Sequence, residues 1–307
     1  MLPRRNKRLF AAALGFLWIA PASATATDPD KVEWSPDWAR VNIPEVVAAL
    51  VLTVGDTEFE DRVPLPNHAS WDKPILFDTW ARGVFRGKTA SLQQFASTST
   101  NVMYQGGALV PFIVDDYFAA AGLHQNVEVA WQLAVIDFDA FGVAGIVSLA
   151  AEHAVGRARP YTLSCVNGYV RDAQGHVLQE CGGGNDFRSF FSGHAAATAT
   201  TAGLVCVHHQ HLPLFGGGVA DLAPCLFMIA VSAATGVLRL VYDEHWASDV
   251  MVGWIDGVLS GYVLPSLLHF GFGDGKPPGQ IVAGDLQAVP TLLPCPGGAA
   301  AGLLGTF

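Results

Sequence analysis

Arg239-Leu240-Val241-Tyr242-Asp243-Glu244-His245-Trp246-Ala247-Ser248-Asp249 joins two long apolar segments, 219–240 and 247–270, and its reading decides the fold. An arginine closes the first apolar run, a histidine follows six residues later, and an aspartate stands four beyond that. Neither flanking segment alternates with period two, and Ala, Leu and Gly recur without a sustained β-branched pattern, so both read as helices. Working outward, three further apolar segments, 101–123, 127–155 and 194–207, are bounded by turn chemistry such as Gly216-Gly217-Gly218. With a shorter apolar run from Val46 to Val54, they predict an all-α protein, a helical bundle of about five to six core helices.

Positive charge is scarce across that region. Between Lys88 and Lys276 lie 187 residues with no lysine and five arginines: Arg157, Arg159, Arg171, Arg188 and Arg239. Two of them close a segment as Gly156-Arg157-Ala158-Arg159-Pro160, where Pro160 disfavours helical geometry at the residue before it. A cation at a helix C-terminus is ordinary capping. That explains any one of these arginines, but the set points to an anion site, because a guanidinium offers a fork of donors matched to phosphate oxygens. Another patch, Ser189-Phe190-Phe191-Ser192-Gly193-His194, opens the small-residue segment. A helix start presents N–H groups to an anion and Gly193 admits close approach, so Ser192 and Gly193 read as part of the same seat, with Ser192 also an N-cap.

The order Arg-Pro, then Ser-Gly-His, then Arg-x5-His-x3-Asp resembles the type 2 phosphatidic acid phosphatase and vanadium-dependent haloperoxidase superfamily, over about 101–270. The resemblance implies that His245 is the nucleophile of a phosphohistidine intermediate and His194 the general acid, with Arg159 and Arg239 clamping phosphate oxygens. It implies hydrolysis of phosphomonoesters or pyrophosphates, lipid phosphates among them, with no metal and no cofactor. Vanadate enters only in the haloperoxidase alternative, and a catalytically silent membrane protein is a third reading. If the last helix begins near His245, Asp249 shares its face and fixes the imidazole tautomer by accepting from one ring nitrogen. Three positions depart from the family pattern: Glu152 stands where a lysine usually precedes the Arg-Pro arginine by seven residues, Phe191 replaces Pro, and Leu238 replaces Ser. An acidic Glu152 opposes anion binding unless it points elsewhere and Arg157 fills in as a phosphate ligand.

The whole chain has 307 residues, 17 basic and 27 acidic, for a formal net charge of −10, which excludes a generic nucleic-acid binder. With 51% apolar and 14% charged residues it is no disordered chain either. Arg4, Arg5, Lys7 and Arg8, the apolar run Leu9 to Ala20, and Ala22-Ser23-Ala24 read as a signal peptide or signal anchor over 1–24. Cleavage after Ala24 leaves 283 residues at −14, exported either to the periplasmic face of a bacterial inner membrane or as a soluble periplasmic protein. Apolar runs at 222–238 and 250–270 are long enough to span a bilayer and favour membrane attachment. Cys165 and Cys181 flank a polar loop and are a disulfide candidate worth about 3 kcal/mol. Cys206 and Cys225 lie in apolar runs and read as buried thiols, and Cys295 has no evident partner.

Around the phosphatase-like domain of 99–270 stand an N-terminal region, 28–98, of unclear role and a Gly/Pro-rich tail, 271–307, that reads as irregular. His208-His209-Gln210-His211 has no cysteine or carboxylate at ligand spacing nearby, so it predicts no zinc site. Asp115-Asp116, and Asp137 with Asp139, read as polar contacts between helices. Gly182-Gly183-Gly184 lacks the context of a P-loop. The natural substrate and the oligomeric state are not legible.

Overall fold

A computed structural model describes residues 42–270 and the three strands between 281 and 306; the signal segment, 1–24, lies outside the described residues. Among the described residues seven α-helices carry the fold: α1 (Asn42–Arg62), α2 (Asp78–Phe85), α3 (Ala90–Val110), α4 (Val127–Val155), α5 (Gly193–His211), α6 (Val219–Val241) and α7 (Ala247–Val258). Wider helical turns extend α3 to Leu123 and α7 to Phe270. The helical bundle predicted from the apolar segments is the observed architecture.

Local chemistry sets the boundaries. Thr89, Asn126 and Ser192 cap α3, α4 and α5, each side-chain oxygen accepting the N–H three residues on. At the far end of α4, Gly156 takes the left-handed conformation (φ +60°). The turn ends the helix and sends Arg157 and Arg159 across the end of the bundle.

Helix α5 is the central element, packed against α3, α4, α6 and α7. Its Ala, Thr and Gly side chains are small enough for backbones to meet. Gly253, Gly257 and Gly261 of α7 and its extension face it: a Cβ at Gly257 would lie 2.3 Å from the Ala196 carbonyl oxygen, and one at Gly261 2.2 Å from that of Thr200. Such small-residue contact is the packing that helices use in lipid, where hydrophobic driving force between them is absent. Four helical spans, 90–123, 127–155, 219–241 and 247–270, are long and apolar enough to cross a membrane. Their outer faces expose Val102, Ile113, Phe118, Leu226, Phe227 and Ile255.

Two expectations need correction. Cys206 and Cys225 are not free thiols but a disulfide joining α5 to α6, alongside the expected Cys165–Cys181 bond; the antiparallel run of these neighbouring helices brings their Cα atoms to 4.4 Å. The tail is not irregular: β3 (Ile281–Ala283), β4 (Leu286–Cys295) and β5 (Gly298–Thr306) form an antiparallel sheet. Backbone pairing organises that segment without the apolar periodicity by which the sequence was read. A smaller hairpin, β1 (Tyr169–Arg171) and β2 (Val177–Glu180), lies in the loop between α4 and α5. The region 28–98 contributes α1, which lies along α4, and α2, which reaches the site described next.

Candidate active site

The loops joining α4 to α5 and α6 to α7 meet at one end of the bundle and bring Arg159, Ser192, Gly193, His194, Arg239 and His245 together. His245 is buried, and its Nδ1 lies 2.7 Å from the carbonyl oxygen of Ser189. A carbonyl only accepts, so Nδ1 carries the proton and Nε2 is left with its lone pair. Burial first, then Arg239 and Arg159, hold this imidazole well below its ordinary 6.5, in the neutral form a nucleophile needs.

Asp249 does not orient His245 as expected. Helix α7 begins at Ala247 with Trp246 as N-cap, so His245 lies outside it and a four-residue spacing no longer means a shared face. Asp249 instead caps the helix, accepting from the Trp246 N–H at 2.9 Å, and takes the Ser189 hydroxyl at 2.6 Å. Ser189 thus relays between the two residues: its hydroxyl donates to Asp249 and its carbonyl receives His245.

Arg157 is not a phosphate ligand either. Its guanidinium donates to Asp249, to Asp78 of α2 at 2.7 Å and to Ser248 at 2.8 Å, and stacks 3.8 Å from the centre of the Trp71 ring. These partners occupy both terminal nitrogens of the guanidinium, so the buried cation knits α2, the 156–159 turn and α7 into one wall. Asp78 completes it by accepting the Ser248 N–H and hydroxyl.

Arg159 and Arg239 do converge, and they converge on a carboxylate. Glu244 Oε2 lies 2.5 Å from Arg159 Nη1 and also receives Arg239 Nη2. Burial would raise this acid, but the two guanidiniums outweigh it and hold Glu244 at about 2. The neighbouring Asp243 is buried and paired with Arg82 and Arg86, which fixes the backbone beneath Glu244. Glu152 borders the seat as well: a Cβ on Gly193 would stand 3.7 Å from its Oε1. Its partner is Arg188, not Arg157, with Nε at 2.8 Å and Nη2 at 2.5 Å. A glutamate at 152 therefore comes with an arginine that neutralises its charge.

Ser192 is buried as the α5 N-cap, and the first N–H groups of the helix, Gly193 onward, have no partner within it. His194 stands half-buried on the first turn, its Nε2 3.0 Å from Asn101 Oδ1 and its ring 4.8 Å from that of Tyr104. Ser189, Arg188, Glu244 and Asp78 escaped the sequence reading. Arg188 was visible as one of five arginines in a lysine-free stretch, and Glu244 as the residue before the motif histidine; nothing in the sequence signalled Asp78 or Ser189. The structure thus forms a cup with two arginines, a helix start and two imidazoles, chemistry suited to a tetrahedral oxyanion.

No curated protein and no solved structure matches the chain. Residues 138–271 match the model of the PAP2 superfamily, a span that runs from within α4 through the end of the α7 extension and includes all three motifs. Over these residues the chain is similar to the PAP2 superfamily, a likeness that suggests activity of the phosphatase type.

Proposed function

We propose that this protein is a phosphatase that hydrolyses phosphomonoesters or pyrophosphates, lipid phosphates foremost, through a phosphohistidine at His245. The observation that carries this reading is the pairing of an unprotonated His245 Nε2 with two arginines already gripping an anion, the Glu244 carboxylate. Substrate phosphate would displace that carboxylate. Nε2 then forms a bond to phosphorus as the bond to the leaving oxygen breaks, and the leaving oxygen takes a proton from protonated His194. The positive charge gained by the His245 ring is met by the Ser189 carbonyl at Nδ1. In the second half water gives a proton to the now neutral His194 and its oxygen bonds to phosphorus as the N–P bond breaks, which returns the electron pair to Nε2, releases inorganic phosphate and leaves His194 protonated again. Arg159 and Arg239 stabilise the equatorial oxygens in both steps, so the reaction as drawn uses no metal and no cofactor.

A lipid substrate fits the apolar exterior. A groove of about 900 Å³ between α5, α6 and α7, lined by Ala199, Ala202, Ile229 and Trp254, runs along the bundle to Leu212 and Asp221 at the end away from the cup. For a chain exported at its N-terminus, with α3 as the first helix to cross, the cup faces the exported side. That side also permits the Cys165–Cys181 disulfide, which closes the loop carrying Arg159 and Arg188.

One second reading has a specific observation in its favour: a catalytically silent protein, because Glu244 fills the clamp and Glu152 adds another carboxylate. Purified full-length protein in detergent, given p-nitrophenyl phosphate and then phosphatidic acid vesicles, separates the two. Turnover is expected to fall at least about a thousandfold in His245→Ala, and an acid-labile phosphoenzyme to be trapped in the parent alone. Absence of turnover on both substrates supports the silent reading. Bromide oxidation on adding vanadate, without phosphatase turnover, would make it a haloperoxidase.

A further inference from the structure

At the end of the bundle opposite the cup, six ionisable side chains from four helical spans meet in the interior: Asp115 and Asp116 of the α3 extension, Asp137 of α4, His208 and His209 of α5, and Asp221 of α6. His208 lies 14 residues beyond His194 on α5, about 21 Å along the axis at 1.5 Å per residue, so this cluster is separate from the cup. Along the sequence the histidines have no carboxylate at ligand spacing. The carboxylates are present, but they come from other helices.

Part of the cluster is saturated. Asp115 receives His208 Nδ1 at 3.1 Å and His209 Nε2 at 3.2 Å. Asp221 receives His209 Nδ1 at 2.6 Å and the N–H groups of Phe215 and Gly217. The other part is not. Both carboxylate oxygens of Asp116, both of Asp137, and Nε2 of His208 are buried without a regular hydrogen bond; they face one another instead, His208 Nε2 standing 3.5 Å from Asp137 Oδ1 and the two carboxyls lying side by side. These side chains are at most 5% exposed, and one donor atom from each lies within 4.8 Å of the others. Two bare carboxylates in an apolar interior, next to a correctly held imidazole, are costly unless something cationic joins them. Apart from the two histidines, which already serve Asp115, the described residues supply no cation there, because residues 89–275 contain no lysine and the arginines among them lie at or near the cup end.

We propose that Asp116, Asp137 and His208 bind one divalent first-row transition-metal ion, held by two carboxylate oxygens and the Nε2 of His208. Ligand atoms about 2.1 Å from a common ion stand roughly 3.4 Å apart in a tetrahedral arrangement, within a small side-chain adjustment of the observed spacing. Asp115 provides the carboxylate behind the imidazole that fixes its tautomer and directs Nε2 at the ion. Oxygen and nitrogen donors without thiolate suit Zn²⁺, Mn²⁺ or Co²⁺. The ion would tie α3, α4 and α5 together far from the reacting phosphate, and its role is structural.

The full-length protein, stripped with EDTA in detergent and titrated with Co²⁺, tests this directly. Expected are visible d–d bands that saturate at about one ion per chain, and a higher melting temperature with Co²⁺ or Zn²⁺ present. The double variant Asp116→Asn/Asp137→Asn is expected to lose both signals, while Asp139→Asn, on the same helix but outside the set, keeps them. The parent spectrum requires no substitution, so misfolding of a variant does not leave the question open. Failure of the stripped parent to bind Co²⁺, Zn²⁺ or Mn²⁺ stoichiometrically would overturn the proposal and leave a proton shared by Asp116 and Asp137 in place of the ion. Retention of the cobalt bands by the double variant would overturn it equally.

Discussion

Glu244→Gln is the most informative change at the cup, because it removes the charge that occupies the clamp and keeps the shape. The arginines lower this carboxyl from its ordinary 4.5 to about 2, a difference worth about 3 kcal/mol in favour of the ionised form. An incoming phosphate dianion must give up at least part of that advantage to displace Glu244 from Arg159 and Arg239. Glutamine offers the arginines only a neutral carbonyl, so the competition falls away. Inorganic phosphate is therefore expected to bind Glu244→Gln at least about tenfold, and at most about a hundredfold, more tightly than the parent. Calorimetric titration of phosphate into purified protein measures this whether or not the protein turns over. Asp243, held by Arg82 and Arg86, keeps the loop backbone in place in both forms. Unchanged or weaker phosphate binding would refute the reasoning and make Glu244 a brace that holds the guanidiniums in position.

Arg157→Ala and Arg159→Ala should separate wall from cup. The first strands Asp78 and Asp249 as buried, unpaired carboxylates and is expected to destabilise by about 3–5 kcal/mol in thermal or denaturant unfolding. The second leaves folding intact while weakening phosphate binding about a hundredfold. Stability should also report the suppressed protonation of His245. Its folded-state pKa lies well below 6.5, so below pH 6.5 the unfolded chain binds the extra proton; stability is full above that pH and lost as pH falls through it. Melting temperatures between pH 7 and 5 should fall less steeply for His245→Asn than for the parent, and parallel curves would contradict the neutral, buried imidazole.

How much of the site could be read in advance depends on whether its parts are local in the chain. Arg159, Arg239, His194 and His245 were legible because each sits at a helix end marked by sequence: Gly156 and Pro160, the Ser192 cap, and the junction of two apolar runs. The roles of Asp249 and Arg157 were not, because spacing predicts a shared face only inside a helix, and α7 starts two residues after His245. Glu152 illustrates the same limit, since its charge was evident but its pairing with Arg188 crosses 36 residues.

The sequence by itself determined the helical bundle, the ends of α4 and α6, the start of α5 and the presence of a cationic, histidine-bearing end, because periodicity, caps and scarce charges are properties of neighbouring residues; the starts of α1 and α3, and all of α2, were not legible in it. Only the tertiary structure decided that Glu244 sits in the clamp, that Cys206 meets Cys225, and that Asp116 and Asp137 lie beside His208. Those outcomes depend on which helix faces meet and how closely. In this chain that is governed by the glycines at 253, 257 and 261, where backbone approaches backbone, and by the packing of α3, α4 and α6 around α5.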